Sequence, residues 1–211
     1  MEDAIESGKR SEPEAGYRFE TQAGVPGGPL LLLFHGTGGT ERQFLPFGRR
    51  LMPEATLIAP RGDVSEHGAA RFFRRKGEGI YDMADLRART AKMADFVAAR
   101  VAEHAPSKVI GLGYSNGANI LASVIFARPD LFDTAVLMHP LIPFTPAPAP
   151  VRGRVLITAG RRDPICPPAA TQALADWLAA QGAPVETHWH PGGHEIDPSE
   201  IGAIDAYLNQ A

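Results

Sequence analysis

A single cysteine, Cys166, occurs in the 211 residues, so no intrachain disulfide can staple the chain. No apolar run reaches the length needed to cross a bilayer. The first residues, Met1-Glu2-Asp3-Ala4-Ile5-Glu6, are acidic and lack an apolar stretch, so no signal peptide is expected. No charge of one sign dominates: 21 Lys and Arg stand against 24 Asp and Glu, a formal net charge of −3. That balance excludes a general nucleic-acid or membrane-surface binder. Internal repeats are missing too. These absences make a cytoplasmic enzyme or binding protein the expectation. The hydrophobic share of 44% and charged share of 21% are ordinary for a globular chain, and the length fits one domain. Residues 1–15 are polar and are expected to form a flexible N-terminal segment, with 16–211 as the single domain.

What is present is a rhythm. Leu30-Leu31-Leu32-Leu33-Phe34 is continuously apolar, the pattern of a parallel strand buried on both faces. Runs at 55–59, 109–112, 132–138 and 155–159, and a last strand at 185–189, alternate with helical stretches. Those stretches run at 41–52 behind a Thr40 cap, from an Asp82 cap to His104, from Ala118 through Ile125, at 172–181 and at 199–209. Residues 17–21 read as an edge strand. Strands alternating with helices predict an α/β fold, a mostly parallel sheet with helices on both faces. Residues 63–81 show no periodicity and read as a loop. Residues 139–153, rich in proline, read as a stiff connector rather than a second domain.

Three polar residues follow the C-terminal ends of predicted strands, where open α/β folds place their sites. Ser115 stands in Gly113-Tyr114-Ser115-Asn116-Gly117 between a strand and a helix, the context of a nucleophile elbow. Asp163 follows Gly160-Arg161-Arg162, and His194 follows Gly192-Gly193. A serine hydroxyl needs a base, a histidine can take and return its proton near neutral pH, and a carboxylate can fix the histidine tautomer. Asp163 and His194 each have a blander reading alone, an Asp-Pro turn and a loop histidine. Gly111-x-Gly113-x-x-x-Gly117 loosely fits a dinucleotide fingerprint, but the following strand ends in His139-Pro140 rather than an acidic residue. His188-x-His190-x-x-x-His194 could be read as zinc ligands, without further ligands nearby. His35 is read as structural and Cys166 as a small buried residue. His35-Gly36-Thr37-Gly38-Gly39-Thr40 suits an oxyanion loop, with the Thr37 N–H aimed at substrate; no Gly-Lys-Ser/Thr follows to make it a P-loop. In Arg71-Phe72-Phe73-Arg74-Arg75, a phenylalanine could contact an acyl group and an arginine a carboxylate; the alternative is a solvated basic loop with one phenylalanine in the core.

With these motifs quoted, the chain resembles a serine α/β-hydrolase over nearly everything from Leu30 onward. More narrowly it is similar to the phospholipase/carboxylesterase family, related to acyl-protein thioesterases and dienelactone hydrolases. Pro60-Arg61-Gly62, the Arg71–Arg75 run and Gly113-Tyr114-Ser115-Asn116-Gly117-Ala118-Asn119-Ile120 look like its bacterial branch of hydroquinone-linked hydrolases and carboxylesterases. The resemblance implies a triad of Ser115, Asp163 and His194, an oxyanion hole from the N–H groups of Thr37 and Asn116, and no cofactor or metal. It implies a small-molecule ester as substrate, and a homodimer is compatible with it. Dienelactone hydrolases use a cysteine nucleophile, so Ser115 departs from that activity. Larger hydrolases insert a lid where this chain has only 139–153, so an open site walled by 63–81 is expected. Thioester, lactone or phospholipid hydrolysis on the same triad stays open, as does a binding protein on a hydrolase fold.

Overall fold

Every residue of the strand β2 (Leu30–Phe34) is buried, as its unbroken apolar run requires. In the computed structural model, which describes residues 16–210, the even positions Leu30, Leu32 and Phe34 face one hydrophobic cluster and Leu31 and Leu33 face another. The segment expected at 1–15 lies outside the described residues. A strand buried on both sides must be covered on both sides. Helices α2 (Met83–His104), α3 (Asn116–Ala127) and α4 (Pro168–Ala180) contribute to the first cluster. Helices α1 (Leu45–Leu51) and α5 (Pro198–Leu208) contribute to the second. Each fully buried leucine contributes roughly 1.5–3 kcal/mol relative to exposure.

Among the described residues the sheet has seven strands. From one edge they run β1 (Phe19–Gln22), β3 (Thr56–Pro60), β2, β8 (Val109–Tyr114), β9 (Thr134–Met138), β10 (Arg154–Gly160) and β11 (Val185–His190). Only β1 is antiparallel, paired with β3 at the edge. All other pairings are parallel. Their C-terminal ends therefore gather along one margin. No helix among the described residues is long and apolar enough to cross a membrane.

Two expectations are corrected. The helix predicted over 41–52 begins only at Leu45. Thr40 instead closes a turn, accepting from Arg42 N at its hydroxyl and from Gln43 N at its carbonyl. A start at 41 would put Pro46 inside the helix, where its ring clashes with the preceding turn and its missing N–H breaks the ladder. A start at 45 puts it in the first turn, where neither matters. Residues 63–81 are two short hairpins, β4 (Val64–Glu66) with β5 (Ala69–Arg71), and β6 (Arg75–Gly77) with β7 (Ile80–Tyr81). Strands of two or three residues are too short to show alternation. The turn between β4 and β5 uses His67 and Gly68, both at positive φ, as a two-residue hairpin turn demands.

At Gly117 helix α3 lies close against β2. A Cβ there would lie 2.2 Å from the Phe34 carbonyl oxygen and 2.5 Å from that of His35. Gly202, in α5, has open space around its Cβ position. Gly117→Ala is expected to destabilise the protein by about 2 kcal/mol or more, and Gly202→Ala to stabilise it by about 0.5–1 kcal/mol. Urea unfolding midpoints of the two variants check this.

Candidate active site

Between the end of β8 and the start of α3 the chain must reverse within one residue, and Ser115 occupies that residue. Its backbone sits at φ 52° and ψ −115°, a region that costs a non-glycine residue energy. Hydrogen bonds on both sides hold it there: Ser115 N donates to Met138 O at 2.8 Å, and Asn119 N donates to Ser115 O at 3.0 Å. The hydroxyl therefore stands at the C-terminal margin of the sheet. Two strands over, Asp163 follows β10, and beyond it His194 follows β11. A side chain at Gly160 would collide with Gly193 O, only 2.0 Å from the Cβ position, so glycine lets the His194 loop close onto β10.

The three residues meet. His194 Nε2 lies 2.9 Å from Ser115 Oγ, and His194 Nδ1 lies 2.7 Å from Asp163 Oδ2. Asp163 is buried, while Ser115 and His194 are part-exposed. The other Asp163 oxygen accepts from Ile165 N at 2.8 Å and Cys166 N at 2.9 Å. Burial alone would raise the Asp163 carboxyl. The hydrogen bonds from Cys166 N, His194, His139 and Ile165 N outweigh it and hold the pKa below the ordinary carboxylate value. With Asp163 ionised, the hydrogen of the His194 ring is drawn to Nδ1, leaving Nε2 to accept from the serine hydroxyl.

Thr37 and Asn116 border the same cavity as Ser115 and His194, about 210 Å³ in volume. Among the described residues the Thr37 N–H has no acceptor. The Asn116 N–H belongs to the first turn of α3, where helical donors lack intrahelical partners. Around them the loop is pinned. Arg71 Nη1 donates to Thr37 Oγ1 at 2.7 Å, Gly36 N to Gln43 Oε1 at 3.2 Å, and Gly38 N to Ala70 O at 2.9 Å.

The Arg71–Arg75 run divides. Arg71 and Arg75 border the cavity. Phe72 and Phe73, expected as possible substrate contacts, are each 0% exposed and belong to the core. Phe72 packs edge-on to Phe34, and Phe73 edge-on to Tyr81. Arg74 turns away to Asp85, with Nη2 at 3.0 Å from its Oδ1. These three are thus removed from the substrate-contact set, because core packing and the α2 carboxylates claim them. His35 bridges backbone at two strand ends: Nδ1 lies 2.7 Å from Gly36 O, and Gly62 N donates to Nε2 at 2.9 Å. Burial pushes its pKa down, in keeping with a neutral structural ring. The spaced histidines 188, 190 and 194 do not converge on one point. His188 Nε2 meets Ser199 Oγ at 3.1 Å, His190 faces Glu200 at 3.5 Å, and His194 faces Ser115.

Some roles at the site have no signal in the sequence. Tyr114 OH donates to His194 O at 2.8 Å, steadying the loop; burial pushes its hydroxyl pKa up to about 12, so it stays a donor. Asn119 accepts from Leu141 N at 2.7 Å and donates to Tyr81 OH at 2.8 Å, tying 139–153 to the floor of the cavity. His139 and Glu200 form a buried pair behind Asp163, with ring Nε2 3.0 Å from Glu200 Oε1. His139 is visible in the sequence as a strand-end histidine; Glu200 looks there like any first-turn helix glutamate.

The Bacillus subtilis (strain 168) putative hydrolase MhqD is 41% identical over 186 residues, 86% of this chain and 93% of that protein. The crystal structure of a Bacillus cereus carboxylesterase superposes with a TM-score of 0.88 at 36% identity, covering 93% of this chain and 95% of the other. The Agrobacterium tumefaciens str. C58 protein Atu2452, of unknown function, superposes at 0.86 with 62% identity over 89% and 93% of the two chains. The sheet is that of the α/β-hydrolase carboxylesterases. The family model described as the dienelactone hydrolase family matches residues 69–195, from β5 past β11 to the loop that carries His194, and the chain belongs to that family of hydrolases.

Proposed function

We propose that the chain is a serine carboxylesterase that hydrolyses small to medium carboxylic esters through an acyl-enzyme. The observation that carries this reading is the continuous contact Ser115 Oγ to His194 Nε2 to Asp163, at 2.9 and 2.7 Å, opening on a cavity. His194 Nε2 takes the hydroxyl proton as Oγ attacks the ester carbonyl carbon. The carbonyl π-bond opens to an oxyanion facing the N–H groups of Thr37 and Asn116. The C–O bond to the leaving alcohol then breaks, and that oxygen takes the proton from His194. A water attacks the acyl carbon with His194 again as base, releasing the carboxylic acid and restoring Ser115. Asp163 stabilises the imidazolium in both halves.

The nucleophile is assigned to Ser115 rather than Cys166 on chemical grounds. Cys166 is 1% exposed, its thiol points to His139 O at 3.2 Å, and burial pushes its pKa far up, which leaves little thiolate. A cavity of about 210 Å³ favours short acyl groups. Arg71 and Arg75 on its wall favour an acyl or alcohol part that carries a carboxylate, although Glu66 and Glu78 already partner them.

A fluorophosphonate probe should add once to the wild-type protein and not to Ser115→Ala, read by intact mass. The same substitution should lower kcat on p-nitrophenyl acetate by about 10³-fold or more; equal labelling of both proteins overturns the assignment. Replacing Arg75 with glutamine should lower kcat/KM about tenfold for an ester bearing a carboxylate, against little change for its neutral isostere. Equal effects on the two esters would remove the acid-recognition part of the reading.

A further inference from the structure

Behind the Ser115, His194 and Asp163 contact lies a second histidine, wholly enclosed. His139 follows β9 at φ 50°, an unusual backbone state for a non-glycine residue, and its side chain is 0% exposed. Both ring nitrogens face carboxylate oxygens. Nδ1 is 3.0 Å from Asp163 Oδ2, the same oxygen that His194 uses. Nε2 is 3.0 and 3.2 Å from the two oxygens of Glu200, itself fully buried. A neutral imidazole carries one hydrogen and would turn a lone pair on one of these carboxylates. Only the imidazolium satisfies both.

We propose that His139 is a positioning residue: held as an imidazolium between Glu200 and Asp163, it fixes the Asp163 carboxylate and sets how readily His194 gains and loses its proton. The proposal rests on the esterase reading of Ser115, His194 and Asp163. Charge arithmetic supports it. With His139 neutral, Asp163 and Glu200 would be two buried anions flanking one uncharged ring. With His139 charged, the group carries a single net negative charge spread over three residues. Burial alone would lower the His139 pKa, but Glu200 first and then Asp163 outweigh it and raise it. Glu200 is held low in spite of its burial, chiefly by its hydrogen bond from His139.

The other groups facing His139 leave this assignment intact. Tyr114 lies edge-on at 5.8 Å and is a neutral phenol. Cys166 offers its thiol to the His139 carbonyl, not to the ring. His190, at 5.3 Å between centroids, accepts from Gly192 N at its Nδ1, so its ring hydrogen sits on Nε2 toward Glu200, 3.5 Å away. That tautomer leaves Nδ1 as the acceptor, while Nε2 has no hydrogen-bond partner among the described residues. It also argues against reading His139, His190 and Glu200 as metal ligands, although their donor atoms lie within 4.8 Å of one another. Glu195 is exposed and turned to Gly193 N. The remaining neighbour is His194, 5.2 Å away between ring centroids. A positive charge at that distance opposes protonation of His194. Removing it while Asp163 stays ionised on its contacts with Ile165 N, Cys166 N and His194 should make His194 easier to protonate, so the acid limb of its reactivity moves to higher pH.

The test has two arms. Nitrogen-15 NMR of the wild-type histidine side chains between about pH 5 and 9 should show His139 with both nitrogens protonated throughout. A His139 ring carrying one hydrogen at neutral pH overturns the proposal. In the second arm, the rate of fluorophosphonate labelling is followed against pH for wild type and His139→Gln, with His139→Asn in reserve if the first variant does not fold. The acid limb should rise by about one pH unit in the variant. A rate lowered by the same factor at every pH, with the limb unmoved, would mean that His139 only supports the fold and would sink the proposal. Absence of labelling on wild type at any pH would fail the esterase reading instead, and the NMR arm would still decide the state of His139.

Discussion

Because β2, β8, β9 and β10 are largely apolar on both faces, with few polar exceptions such as Thr134 and Thr158, most polar side chains stand beyond their ends. Parallel pairing aligns those ends on one margin, and short connections from there lead into helices or turns. Ser115, His139 and Asp163 follow three adjacent strands in the sheet, and His194 follows the fourth. The concentration of chemistry is thus a consequence of burying two faces at once. The close approach of Gly117 to the carbonyls of Phe34 and His35 fixes how near α3 can come to β2, and so fixes where Ser115 and the Thr37 loop stand relative to each other.

Charge is buried at this margin only where it is answered. Asp163 accepts four hydrogen bonds, two from backbone and two from imidazoles. Glu200 caps its own helix, accepting from Asp197 N at 2.7 Å, while facing His139 with the same carboxylate. Arg71, 3% exposed, is satisfied by Thr37 Oγ1, Phe73 O and Glu66. An unpaired charge in any of these positions would cost several kcal/mol. The sites are therefore fixed in place as sets.

Legibility in the sequence followed the length of the signal. Five-residue apolar runs and the 22-residue α2, capped by Asp82 through its bond from Asp85 N, were readable from pattern and cap chemistry. The hairpins at 64–81 were not, because two or three residues per strand give no period; the positive φ of His67 and Gly68 that closes the first of them exists only in the folded chain. The start of α1 is misplaced in the sequence because Thr40 has the chemistry of a cap, whereas Pro46 fits only in the first turn of a helix beginning at Leu45. In the Arg71–Arg75 run, composition could not tell which side chains face the core and which the cavity; that depends on the fold of β5 and on the carboxylates of α2.

Sequence alone determined the alternation of strands and helices, the residues that could carry a charge or a nucleophile, and their order along the chain. These are local properties: periodicity, glycine at a sharp turn, polar residues at strand ends. Tertiary structure alone decided that Oδ2 of Asp163 is shared by two histidines, that Glu200 faces His139 from a helix 61 residues away in sequence, and that Arg71 rather than Arg74 reaches the Thr37 loop. Such contacts join segments far apart in the chain, and no local pattern encodes a distance that exists only once the sheet has closed around its two cores.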